Sequence, residues 1–288
     1  MTLVYRFISG EAGNYPLAVL CRVLRVSRSG YYAWCDRPEV PDQFAREVTE
    51  VFEKHRRRYG SRRITAELKA EKVRIGRRRV RRLMRKQGLK AIQPRSFVPR
   101  TTDSRHGRRM SPNLLLDRAV RPEKPRQVIV GDITYLVLPC GKWAYLATWL
   151  DLFSRKIVGW HISDSMTANL IINALKKAIQ RENLPAGMIV HSDRGGQYTD
   201  TEFRKLLAEK GFEQSMSRAG ETYDNAYAES LFSRYKAEVL ERGGFADLEH
   251  AREATFIYIE TYYNRIRRHS SLGYMSPEDF EWDYFQRS

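Results

Sequence analysis

The stretch QVIVGDITYLVL, residues 127–138, decides the fold. It is a nearly continuous apolar run interrupted by one acid, Asp132. Such a run reads as a buried strand, and alternation puts Val130, Asp132 and Thr134 on one face. Two further strand-like runs follow after short turns, KWAYLATWLD (142–151) and KIVGWHIS (156–163). MTANLIINALKKAIQ (166–180) then reads as an amphipathic helix with Ile171, Leu175, Ala178 and Ile179 on one side. MIVHSD (188–193) is a strand, TEFRKLLAEKG (201–211) a helix, FEQSMS (212–217) a strand and DNAYAESLFSRYKAEVL (224–240) a helix. Three meandering strands followed by alternating helices and strands predict a mixed five-stranded α/β sheet.

A carboxylate inside a buried strand is costly unless something compensates it. Asp193 closes a second strand, in HSDRGGQYTD (191–200). In the last helix of the series, Ala228, Leu231, Phe232, Tyr235 and Val239 form the apolar stripe. At ~100° per residue, Glu229 falls at the edge of that stripe and can point toward the strand ends. Lys236, seven residues on, is nearly eclipsed with it. Two aspartates and a glutamate converging there would suit magnesium or manganese, and two such ions can drive in-line displacement at phosphorus. The plainer alternative is three unrelated acids among 34, with Glu229 paired to Lys236 along its helix. Gly195 and Gly196 remove side-chain bulk where backbone must bend or approach DNA. Arg194 is a candidate phosphate contact. His191 reads either as a structural group or as one that orients a carboxylate or phosphate. Asp151 reads as a strand-end acid turning the chain with Ser154.

The chain has 288 residues and a formal net charge of +17. From Arg56 to Lys90 there are sixteen basic residues and two acidic ones, a net of +14. That concentration predicts a polyanionic partner, above all nucleic acid, over a merely solubilising face. Phe44, Val48, Val51, Phe52 and His55 lie on one face of a first helix, and RYGSRRITAEL supplies a turn and a second. In the third, Val80, Leu83 and Met84 form the buried stripe, so Arg77, Arg78, Arg81, Arg82 and Arg85 point outward. Arg62 and Arg63 on the second helix are further DNA-contact candidates. Residues 15–35 carry a helix after Pro16 and another capped by Ser27, a helix-turn-helix pattern. The expected organisation is a helical segment over 1–37, a basic trihelical domain over 42–90, a proline-rich linker over 91–125 and the α/β core with a helical tail over 126–285. Three cysteines without CxxC spacing argue against a disulfide framework or zinc site. The absence of a long apolar run argues against a membrane span, so a soluble, cytoplasmic protein is expected.

Thirty-five residues separate Asp193 from Glu229. With GDITY, LDLFSRKIVGW, HSDRGGQY, DNAYAES followed by Lys236, and YYNRIRRHSSLGYMSPEDF, the chain resembles the integrase-like transposases of bacterial insertion sequences. The most similar type is the second-frame (OrfB) protein of the IS-three family, and the resemblance covers nearly the whole chain. It implies a ribonuclease H-like core, a catalytic and metal-binding triad at Asp132, Asp193 and Glu229, and a DNA contact at Lys236. It further implies 3′-end cleavage and strand transfer with Mg²⁺ or Mn²⁺, and two ions once DNA is bound. The implied partners are element ends and target DNA, further copies of the chain on that DNA, and an upstream-frame protein joined by frameshifting. The implied location is the bacterial nucleoid. Ile129 stands where the family commonly has tryptophan, one large apolar residue for another. Two other readings remain open on the residues alone: a non-catalytic DNA-binding protein, and a metal-dependent nuclease of the same fold.

Overall fold

The computed structural model describes residues 1–36, 42–94, 110–218, 226–240 and 243–287. Five strands, β1 (Val128–Val137), β2 (Trp143–Asp151), β3 (Ile157–Ser163), β4 (Ile189–Ser192) and β5 (Glu213–Met216), form one sheet in the order β3-β2-β1-β4-β5. The first three are the expected antiparallel meander, while β4 and β5 run parallel to β1. Parallel neighbours need a crossover. Helix α8 (Ala168–Arg181) supplies it between β3 and β4, and α9 (Thr201–Glu209) between β4 and β5.

Alternation along β1 builds two cores. Ile129 packs with Trp149, Val158 and the apolar faces of α8 and α9. Val128 and Val130 face the opposite way, onto Leu114, Leu152, Ile189 and Ala228 of helix α10 (Ala226–Val239). Gly131 lies beneath the Trp149 ring; a Cβ there would fall 2.3 Å from it. That glycine lets the indole lie on the sheet beside Asp132 while Nε1 donates to the Ile171 carbonyl at 3.2 Å.

The chain divides into two compact units, Met1–Glu47 and Val48–Ser288. In the first, α2 (Leu17–Val23) and α3 (Arg28–Cys35) are the expected pair, and the Ser27 hydroxyl caps α3 by accepting from Gly30 N at 3.0 Å. Helix α1 (Thr2–Glu11) lies ahead of that pair, within the segment expected to be helical; its Ile8 packs with Leu20, Cys21 and Tyr31. Helix α4 (Ala45–Lys54) reaches into the second unit, where α5 (Ser61–Ala70) and α6 (Arg77–Lys86) follow. From Val48 onward, the expected basic domain therefore shares a compact unit with the sheet.

The expected linker over 91–125 needs correction in its second half; residues 95–109 lie outside the described residues. A short helix α7 (Leu114–Asp117), capped by Asn113, sends Leu114 into the core. The segment lies along the open edge of β5, where Met216 N donates to the Pro112 carbonyl at 3.1 Å and Leu114 N donates to Ser215 Oγ at 3.0 Å. At the other edge, the Asn264 amide both accepts from Ile157 N and donates to Ile157 O, each at 3.0 Å. Asn264 follows α11 (Leu248–Phe256) and the π-helical turn Ile257–Tyr263, and α12 (Pro277–Arg287) closes the chain.

Candidate active site

Strands β1 and β4 are parallel, with Gly131 opposite Ser192. The next residues are Asp132 and Asp193, so the two acids stand on neighbouring strands, ~4.8 Å apart in backbone spacing. Asp132 shares the parity of Val128 and Val130, which places it on the face covered by α10. Each carboxylate is steadied locally: Asp132 Oδ1 accepts from Ile133 N at 2.8 Å, and Asp193 Oδ1 from Gly195 N at 2.9 Å. A Cβ on Gly195 would stand 3.1 Å from Asp193 Oδ1. That glycine, expected to admit DNA or a bend, makes room for the Asp193 carboxylate.

Tyr198 was not singled out by sequence. It sits in the 3-10 turn Gly196–Thr199, 2% exposed, and its hydroxyl is buried with no hydrogen-bond partner among the described residues. Burial pushes its phenol well above the ordinary value, and the charges of Asp193 and Asp132 push the same way. The phenol packs with Trp149 and Phe203.

Glu229 lies in the first turn of α10 and is exposed. Its neighbour Ala228 is buried against β1, which puts Glu229 on the helix that roofs Asp132. Among the described residues, no three metal-ligating side chains are gathered at one point. The β1–β4 register sets Asp132 beside Asp193, and α10 carries Glu229 on the helix over that face. Lys236 is half-buried; burial pulls its amine below the ordinary lysine value, and the carboxylate opposing that pull is Asp132.

The other candidates separate. Arg194 Nε donates to the Ser217 carbonyl at 2.7 Å, tying the loop to the end of β5. His191 is fully buried, with ring nitrogens 2.8 and 3.0 Å from the Ser215 and Ser217 hydroxyls, so it joins β4 to β5. Asp151 turns the chain as expected, accepting from Phe153 N, Ser154 N and Arg126 N at 2.9, 2.7 and 2.6 Å. On α6, Arg77, Arg78, Arg81, Arg82 and Arg85 are all exposed, as is Arg62 on α5. Arg63 differs: its Nε donates to the Arg268 carbonyl at 2.8 Å, and burial lowers its pKa. A neighbour distant in sequence has claimed a side chain expected to face DNA.

The donor set suits a hard divalent cation. One carboxylate lies within β1, a second directly follows the neighbouring strand β4, and a third is carried on the helix above the same face.

A sheet of this order, with one acid within β1 and another just after β4, and an arginine-coated helical module ahead of it, defines an integrase-type core joined to a DNA-binding unit. Family models described as "Integrase core domain" match residues 122–222 and 210–277, and one described as "HTH-like domain" matches 39–97. Transposase InsF for insertion sequence IS3A of Escherichia coli (strain K12) is 40% identical over 284 residues, covering 96% of this chain and 98% of that protein. The insertion element IS600 uncharacterized 31 kDa protein of Shigella sonnei is 39% identical, covering 93% and 99%. The solved HTLV-2 integrase catalytic core domain in complex with magnesium shares 17% identity over 56% of this chain and 99% of that one, at a TM-score of 0.41. The chain belongs to the IS3 family of insertion-sequence transposases.

Proposed function

We propose that this chain cuts the 3′ ends of its insertion sequence and joins the freed 3′-hydroxyl to a new phosphodiester. Asp132, Asp193 and Glu229 would hold two Mg²⁺ or Mn²⁺ ions. The observation that carries the reading is the adjacency of Asp132 and Asp193 on the face roofed by the helix of Glu229. When bound, such ions supply an activated water or hydroxyl and charge for the leaving oxygen. The protein's own groups do the rest. Asp132 and Asp193 present oxygens fixed by strand register. Tyr198, packed with Trp149 and Phe203, keeps its proton. Lys236, facing Asp132, holds a DNA phosphate beside the acids. Arg62, Arg77, Arg78, Arg81, Arg82 and Arg85 take the phosphate backbone further out, and Arg194 borders the site. Residues 42–90 act as the DNA-binding domain and 126–285 as the catalytic one. Further copies of the chain on DNA, target DNA and an upstream-frame partner belong to the same reading.

A nuclease with this fold would cut and never join. The deciding experiment incubates purified protein with labelled element ends and Mg²⁺ and scores nicked and joined strands. Both products are expected from the natural chain and neither from Asp132→Asn, which should still bind the ends. Nicking without joining favours the nuclease. Full activity in Asp132→Asn overturns the site.

A further inference from the structure

The motif YYNRIRRHSSLGYMSPEDF begins at Tyr262 and has no role in the chemistry above. Two adjacent arginines within it reach in different directions. Arg267 is bidentate to Glu238 of α10, with Nε 3.1 Å from Oε2 and a terminal nitrogen 2.8 Å from Oε1. Those side chains are 3% and 2% exposed, so the pair is fully removed from water, and Tyr258 donates a further bond to Glu238 at 3.0 Å. Burial alone would raise the Glu238 carboxyl; the Arg267 charge and hydrogen bond, with the Tyr258 hydroxyl and Arg63, together hold it below its ordinary value. Bidentate arginine–carboxylate pairs fix direction as well as distance.

Arg268 turns to the basic helices with its backbone and its guanidinium, which also donates to the Tyr274 carbonyl at 2.9 Å. Its N–H donates to the Tyr59 hydroxyl at 2.8 Å, its carbonyl accepts from Arg63, and its guanidinium pairs with Glu67 of α5. Arg58 closes the circuit, donating to the Glu238 carbonyl at 3.3 Å while its guanidinium lies 4.4 Å from the Tyr262 ring centre. Two consecutive residues therefore connect α5, next to the exposed arginines of α6, to the helix that carries Glu229. The far end of α10 has a different hold: Arg155, at φ 61, stacks 3.8 Å over Tyr227, two residues before Glu229.

We propose that Arg267 and Arg268 are positioning residues through which DNA held by the basic helices sets the placement of Glu229. Glu229 is exposed in the first turn of α10, and its position follows that of the helix and not the strand register that sets Asp132 and Asp193. A helix anchored at its far end moves its first turn when that anchor shifts, and the anchor here is shared with the DNA-binding helices. The proposal rests on Glu229 as the third ligand. It gives two residues of the C-terminal motif a task in catalysis without contact with DNA or metal.

Removing Arg267 strands a buried glutamate and risks unfolding, so the test uses Arg268. Hydrogen exchange along α10 is followed in free and element-end-bound protein for the natural chain, Arg268→Gln and Arg268→Lys. Mn²⁺ binding to the DNA complex is measured by calorimetry. DNA should slow exchange in α10 of the natural chain. Arg268→Gln should lose that slowing and need about five-fold more Mn²⁺, the scale of a modest coupling, at unchanged DNA affinity. Arg268→Lys should recover much of both. Natural protection and Mn²⁺ binding in Arg268→Gln overturn the proposal. So does exchange that quickens throughout the molecule with Mn²⁺ binding unchanged. Asp132→Asn runs in parallel: persistence of its Mn²⁺ binding would remove the metal-site reading, while DNA-dependent protection of α10 still reports the coupling separately.

Discussion

Asp132 and Asp193 are held by their own strands, whereas Glu229 is held by groups far from it in the chain. The aspartates follow from the β1–β4 register, and their carboxylates lean on the next backbone N–H groups. Glu229 depends on a helix tied through Arg155, Ala228, Tyr235 and Glu238 to the β2–β3 turn, β1, α11 and the C-terminal motif. Local geometry makes the first two acids rigid. Long-range ties make the third adjustable.

That contrast is most exposed by changing side-chain length with charge kept. Asp193→Glu has no room to adapt beside Gly195 and should lose cleavage by at least about a thousandfold, as when one member of a concerted site is lost. Glu229→Asp, on the adjustable helix, should lose only about ten- to a hundredfold. Single-turnover cleavage with Mn²⁺ measures both, and equal losses would break the distinction. A smaller effect comes from beneath the sheet. Gly131→Ala drives a methyl into Trp149 and should cost about 1–3 kcal/mol in urea unfolding. It should also slow cleavage, since Asp132 is the next residue. Full stability would show that β1 is softer than its packing indicates.

The smallest effect is one of pH. Glu67 is held far below the ordinary carboxylate range by His55, against burial, and then by Arg268 and Lys54; Glu238 is lowered by Arg267. Carboxyls lowered in the folded state contribute stability that is present above their unfolded value, ~4.3, and lost as pH falls toward the folded one. Acidification below about pH 4 should therefore loosen α10 before the sheet. Hydrogen exchange at stepped pH should show this order, and simultaneous loosening would speak against separate holds.

The sheet and the two aspartates were legible because a period of two and a lone acid in an apolar strand are local signals. Glu229 needed the helical stripe and the spacing to Asp193. What stayed hidden depends on partners distant in sequence. Arg63 and Arg77 are the same letter in the same basic run, yet Arg63 is claimed by a carbonyl 205 positions away. Leu114 lies among prolines and reads as linker, but the edge of β5 gives its backbone a partner. Tyr198 looks like any core tyrosine until its hydroxyl is found without a partner.

Asn264 has a consequence beyond local packing. By offering one donor and one acceptor to Ile157, it imitates a neighbouring strand at the rim of β3, as Pro112 occupies Met216 N at the rim of β5. An extended peptide that sought to lengthen the sheet there would have to evict a group already bonded. Two copies of the chain that met at these rims are thus discouraged from fusing sheet to sheet, and any contact between them there is left to side chains.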